Sequence, residues 1–472
     1  MYLIFALVLM LKTSLLIASG SIPPPHIRSL TPEGFMKVEP GGLESLEVNT
    51  NTLLSGVVSE PANAPPLQQR SASRHLPIRL FNNFRNSTVK AYITGLDHNE
   101  KVFFVLRDGS LVYPDAKGSR LPVKVPEDVG IRLPVRSESL KIKLPSYIRS
   151  GRIYFSSDDL KFFVVDLGSG TSLVQPSVTN LRDPNADVNW GFVQLTYIDD
   201  LLYANISYVD SVGLVLGMIL VEGNGNKQTT AGLEADAVIK ICDDLSKQRK
   251  RDNYNWTSLC IADTGGRPIR VLSPGNQHVV DPKIFGNYWK GYVDRIWDKY
   301  TTSDLTINTL SKLGRTRCRV INQKLKCAGH NREFTKLKCA GHNREFTKPN
   351  DEDIWGCNTG PFSISKADSL LSVAIVPRLC AGLVRSTLLL DGGSTQPSLG
   401  QASYYTVSPT NHYSRIIHKY EVDGKGYAFS YDDVNPDNDE DASGVVSSDN
   451  VHLLTIHVGG PLSNHQPDQM SP

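Results

Sequence analysis

The sequence predicts an α+β fold in two lobes, and three observations carry that expectation. Short β-rich runs separated by turn residues fill residues 76–224, residues recurring at helical spacing dominate residues 225–375, and extended runs return at residues 376–460. The early and late β segments pair most simply into one sandwich or barrel, which makes the α-rich block an inserted lobe. A cleft between the lobes is then the expected place for a ligand.

The chain opens on an apolar run closing in small residues at 18–21, which predicts a signal peptide over residues 1–20 and a secreted protein. Residues 21–75 carry Pro-rich pieces without a steady hydrophobic period and read as a disordered leader; residues 461–472 read as a tail. Between them the β elements announce themselves in order. LPIRLFNN, TVKAYITGL, KVFFVLRDGSLVYP and GRIYFSSDDLKFFVV are strand-like, with Asp108 and Gly109 marking a hairpin turn. Residues 190–218, WGFVQLTYIDDLLYANISYVDSVGLVLGM, read as two extended runs joined by a short turn. Trp190, Phe192, Gln194 and Thr196 share one face by the period of two, and the second run is expected to set Asp210 across from Gln194.

The helical block follows. Leu233, Ala237, Val238, Ile241 and Leu245 recur three or four apart, with acids at the start and bases at residues 247–251, as the helix dipole favours. Tyr288, Trp289, Tyr292, Val293, Ile296, Trp297 and Tyr300 predict a second helix whose aromatic stripe reads as core, and a third helix is expected within residues 365–390. Afterwards ASYYTV, HYSRIIHKYEV, YAFSYDD and VHLLTIHV read as extended.

Composition narrows the function classes. In 472 residues, 50 Lys+Arg stand against 48 Asp+Glu, so charge gives no reason to expect nucleic acid or, after signal removal, a membrane. The seven cysteines, Cys242, Cys260, Cys318, Cys327, Cys339, Cys357 and Cys380, are an odd number for an oxidising compartment. The sequence supplies a cause: KLKCAGHNREFT at residues 324–335 is repeated without change at residues 336–347. One copy fewer leaves six cysteines, and three bridges are expected: Cys242 with Cys260, Cys318 with Cys327 or Cys339, and Cys357 with Cys380. Sequons at Asn86, Asn205 and Asn255 are glycosylation candidates.

Phosphate-binding glycine loops, GxSxG elbows and HExxH are absent. Cys327-x-x-His330 and its copy at Cys339 and His342 read as a duplicated disulfide loop, and the acidic run at residues 432–441 as a solvated turn, so no metal and no cofactor are expected. Sugar hydrolysis needs two carboxyl groups, and on residue logic alone Asp210 on a strand is more often structural than catalytic.

Taken together, LPIRLFNN, VFFVLRDGSLVYP, GRIYFS, the run at 190–218, DIWGCNTGPF and GKGYAFSYDDVNP resemble the fungal branch of glycoside hydrolase family 64, over roughly residues 76–460. The resemblance implies a thaumatin-like β-sandwich or barrel domain with an inserted mixed α/β lobe, a wide cleft, and inverting endo-hydrolysis of β-1,3-glucan by a monomer without a metal. It assigns the general base to Asp210 in the context SYVDSVG. It places the general acid, a glutamate in the family's W-x-F-x-E-[FL]-T context, at Gln194 in WGFVQLTY. Thr196 matches a substrate contact, with Tyr203 and Ser207 aligned to other cleft residues. An amide keeps the shape of a carboxylic acid but not its acidic proton, so reduced turnover is expected, with non-catalytic β-1,3-glucan binding as the alternative.

Overall fold

In the computed structural model the described residues are 34–54, 75–84, 88–125, 128–134, 138–328, 344–436 and 443–461. The fold is α+β. Its centre is an eight-stranded main sheet in which Val445–Ser448, Leu201–Ile206, Trp190–Ile198, Ile148–Ser156, Lys90–Leu96, Val102–Val105 and Leu111–Val112 lie side by side, with Ile131–Arg132 on Lys90–Leu96. A five-stranded second sheet contains Leu76–Asn82, Ser139–Leu144, Leu216–Glu222, Lys227–Thr230 and Val451–Val458. Alternate residues of both sheets, among them Ile78, Ile93, Ile153, Leu195, Met218 and Ile456, meet in one apolar layer. The result is a sandwich. None of the five sheets among the described residues closes into a barrel.

A small third sheet of Leu53–Leu54, Thr171–Val174, Phe163–Asp166 and Val123–Lys124 covers part of the main sheet's other face. Leu54, Phe162, Val164 and Leu173 pack there against Tyr92, Phe104 and Tyr154 of the main sheet. Phe162 is the plug, with ring centroids 5.2–5.5 Å from those of Tyr92, Phe104 and Tyr154.

Part of the expected leader belongs to the fold. Leu53–Leu54 pairs with Thr171–Val174, and Met36–Lys37 pairs in parallel with Cys260–Ala262, burying Met36 and Val38. Both pieces are too short to show a period, so only their tertiary partners define them. The expected signal peptide and most of the tail lie outside the described residues.

The expected helices form, as Ala237–Asp252, Lys290–Thr302 and Leu370–Val384, the third running past the expected lobe boundary at 375. The aromatic stripe of the second is buried, with Trp289, Tyr292, Trp297 and Tyr300 nearly sealed from solvent. The lobe also carries two four-stranded sheets, one of which recruits Ser211–Val212 from the 190–218 region. In the last third, HYSRIIHKYEV is a helix at His412–Tyr420. Asn411 caps its first turn, and Tyr413, Ile416 and Ile417, at i, i+3 and i+4, form its apolar face, a spacing that fits a helix and not the alternation of a strand. ASYYTV and YAFSYDD form turns, and only VHLLTIHV is a strand, Val451–Val458.

Three disulfides form, Cys242–Cys260, Cys318–Cys327 and Cys357–Cys380. Cys339 lies outside the described residues. The repeat is used in halves: its first copy supplies the strand Lys324–Ala328, while Phe346 of the second exchanges both backbone hydrogen bonds with Leu325 and is fully buried. Asp432, expected in a solvated turn, is instead sealed in an ion pair 3.0 Å from Arg385, with His418 3.1 Å away. Two cations nearby make burial of that carboxylate tolerable.

Candidate active site

The hairpin is set by its turn. Asp199 and Asp200 both have positive φ, 52° and 65°, the two-residue turn whose twist matches flanking strands. The register follows: Gln194 lies opposite Asn205, and Thr196 opposite Tyr203. The second strand stops at Ile206, so Asp210 does not face Gln194 across the hairpin as expected. Asp199 and Asp200 sit at the tip, with Asp200 accepting a 3.2 Å hydrogen bond from the Tyr197 hydroxyl.

On its other side Gln194 pairs with Arg152 of Ile148–Ser156. Residues opposed in antiparallel strands project to the same side, so Arg152, Gln194 and Asn205 form one row, and Thr196 and Tyr203 the next. All five are partly exposed, whereas Val193, Leu195, Tyr197, Leu202 and Ala204 are buried in the sandwich. This half of the face lies beyond the small third sheet. Among the described residues no hydrogen bond engages the Gln194 amide. The Arg152 guanidinium lies 4.6 Å from the Phe192 ring centre and donates to the Tyr154 hydroxyl at 3.3 Å. Asn205 Oδ1 is buried with no partner. A glycan at Asn205 would therefore stand on the face that holds Gln194.

Past Ile206 the chain bends. Ser207 makes a parallel bridge to Tyr427, and its hydroxyl accepts from the Val209 amide at 3.3 Å, so its side chain holds the bend. The Tyr208 carbonyl accepts from the Tyr413 hydroxyl at 2.6 Å. Burial, with the Asp210 charge adding to it, pushes the Tyr413 phenol well above its ordinary range. Asp210 arrives just before Ser211–Val212, partly exposed, where its carbonyl accepts 3.0 Å hydrogen bonds from the Ser273 amide and from Asn276 Nδ2. Two glycines let the chain return against the first strand: a Cβ on Gly213 would lie 2.1 Å from the Trp190 carbonyl oxygen, and one on Gly191 2.5 Å from that of Leu214. Gln194 is thus held by the main sheet, and Asp210 by the helix start at Ser273 and Asn276.

Sequence reasoning missed Arg152 and Asn276. Only the pairing of distant strands brings Arg152 beside Gln194. Asn276 had a faint signal, since Ser273-Pro274 is a helix-start pattern and a helix does begin at Pro274. Of the other candidates, Asn255 carries its side-chain oxygen 3.0 Å from the Thr257 hydroxyl, and Asn86 lies outside the described residues.

This α+β sandwich has solved relatives among the β-1,3-glucanases. A crystal structure of a laminaripentaose-producing β-1,3-glucanase in complex with laminaritetraose superposes with a TM-score of 0.69 at 26% identity, covering 82% of this chain and 99% of that one. A β-1,3-glucanase domain from Clostridium beijerinckii shares the fold at a TM-score of 0.61 and 18% identity, over 84% of this chain and 100% of that one. The chain belongs to glycoside hydrolase family 64, the β-1,3-glucanase family, which matches residues 74–458. Glucan endo-1,3-β-glucosidases of Cellulosimicrobium cellulans and of Arthrobacter sp. (strain YCWD3) are each 27% identical to it, and the match covers 86% of this chain. It spans 65% of each relative's length, just under two thirds. Both relatives are bacterial.

Proposed function

We propose that the protein is a secreted β-1,3-glucan-cleft protein, an inverting endo-β-1,3-glucanase by descent whose turnover is reduced. The observation that carries this reading is the Gln194 side chain, on the open half of the main sheet at the family's acid position. In the intact reaction Asp210 takes a proton from water as the water oxygen bonds to the anomeric carbon, and the glycosidic oxygen leaves with a proton from the acid. Gln194 can hydrogen-bond that oxygen but has no acidic proton to give. Thr196 and Tyr203 line the same face as sugar contacts. The fungal branch and the thaumatin-like character of the sandwich rest on the sequence motifs.

Non-catalytic binding of β-1,3-glucan is the second reading, and the same amide favours it. Laminarin turnover by the wild type, Gln194→Glu and Asp210→Asn separates the two. On the impaired-enzyme reading, Gln194→Glu gains about 10²–10⁴ in rate and Asp210→Asn abolishes what the wild type shows. Wild-type turnover equal to that of Gln194→Glu overturns it. Retention on insoluble β-1,3-glucan with no reducing sugar released by either protein favours the binder.

A further inference from the structure

We infer that Asn276 is the positioning residue for Asp210, fixing which carboxylate oxygen faces the water. The inference rests on the hydrolytic reading above. Asn276 sits in the first turn of the helix Pro274–Val280, where its backbone amide donates to the Ser273 hydroxyl at 3.2 Å. Its side-chain Nδ2 lies 3.0 Å from the Asp210 carbonyl and 3.4 Å from Asp210 Oδ1. An amide nitrogen carries two protons, so one side chain reaches the main chain and the carboxylate of the same residue. The Ser273 amide donates to that carbonyl as well, at 3.0 Å. Asp210 lies beyond the end of its own strand, so sheet pairing on the Gln194 side does not orient it; the helix start does. With Oδ1 occupied, Oδ2 is left to accept from water.

A role confined to holding the loop and a role in aiming the carboxylate make different forecasts. Asn276→Asp keeps the side chain's shape and puts a carboxylate in a helix first turn, where negative charge is favoured, which offsets part of the lost bond to the Asp210 carbonyl. It removes the donor and sets a like charge beside Asp210.

The test uses the wild-type chain and a β-1,3-linked disaccharide β-fluoride. Water oxygen bonds to the anomeric carbon, the carbon–fluorine bond breaks, Asp210 takes the proton and fluoride leaves unprotonated, so no acid is needed at Gln194. Fluoride release is measured for wild type, Asp210→Asn, Asn276→Asp and Asn276→Ala, each with its melting temperature. The expected result for Asn276→Asp is a kcat lowered about 10²-fold, as small misplacements of a reacting group give, with KM and melting temperature near wild type. Asn276→Ala loses kcat with it. Asn276→Asp turning over like wild type while Asp210→Asn is dead overturns the positioning role and leaves the hydrolase. A melting temperature that falls in step with kcat in both Asn276 variants also overturns it, in favour of loop holding. No fluoride release by wild type above Asp210→Asn removes the hydrolytic reading, and the positioning role falls with it.

Discussion

One face of the main sheet is two different places. Tyr154 and Arg152 stand two residues apart on the same strand and project to the same side. Tyr154 is sealed under Phe162 and the small third sheet, with its phenol pushed up by burial, while Arg152 is partly exposed beside Gln194. The strands do not change between the two halves; the third layer stops. Where it covers the sheet, the side chains are Tyr92, Phe104 and Tyr154, and where it ends they are Gln194, Asn205, Thr196 and Tyr203. Left uncovered, this half of the face lets Gln194, Thr196 and Tyr203 avoid the desolvation cost that the covered half imposes, though Asn205 Oδ1 is buried without a partner even here.

That comparison can be broken most forcefully by removing the plug. Phe162→Ala should destabilise the fold by about 3–5 kcal/mol, as aromatic truncation in a core does, read by denaturant unfolding. A cost below about 1 kcal/mol would mean the covered half is no core. At the seam, Gly213→Ala sets a Cβ against the Trp190 carbonyl and should cost about 1–3 kcal/mol through overpacking; an unchanged midpoint would show that the chain relaxes there freely. Outside the main sheet, a buried charge cluster on the helix His412–Tyr420 is what alkaline pH tests. Burial would lower the His418 imidazole, but the Asp432 and Glu421 carboxylates outweigh it and raise it to about 10. A raised imidazole contributes stability that is complete below about pH 6.5 and is lost as pH climbs through about 10. Melting temperature should drop by about 2–4 °C or more across that window, and His418→Gln should flatten the fall. The smallest effect belongs to Tyr203→Ala, expected within about 0.5 kcal/mol of wild-type stability while laminarin affinity falls about tenfold, a loss of about 1.4 kcal/mol. Equal damage to stability and binding would erase the distinction between the halves.

Much of this was legible. The alternation through Trp190, Phe192, Gln194 and Thr196 put Gln194 on the face turned away from the sandwich core. The helices at Ala237–Asp252 and Lys290–Thr302 followed from spacing. The cysteine count gave three bridges but not the choice of Cys327 over Cys339 for Cys318. The register could have been read too, since a two-residue turn at Asp199 and Asp200 opposes Gln194 to Asn205 and leaves no strand partner for Asp210. What alternation cannot convey is which face of a strand meets a third layer, because that depends on Leu54, Phe162 and Leu173 arriving from other segments. Nor can local pattern reveal that Arg152 meets Gln194 from a neighbouring strand and Asn276 meets Asp210 from a helix start. At His412–Tyr420 the i, i+3, i+4 spacing of Tyr413, Ile416 and Ile417 was itself a helical signal, and the extended reading missed it.

The bridge from Leu325 of the first repeat copy to Phe346 of the second bears on heredity as much as on folding. Because the copies are identical, excising any twelve consecutive residues within 324–347 yields the same polypeptide. The entropy of closing a connection grows only with the logarithm of its length, so the longer form is disfavoured by on the order of 1 kcal/mol. Gain or loss of a copy by replication slippage would then be nearly silent to the fold. What it would change is the parity of the cysteines, from seven to six, and so whether three bridges leave one sulfur over.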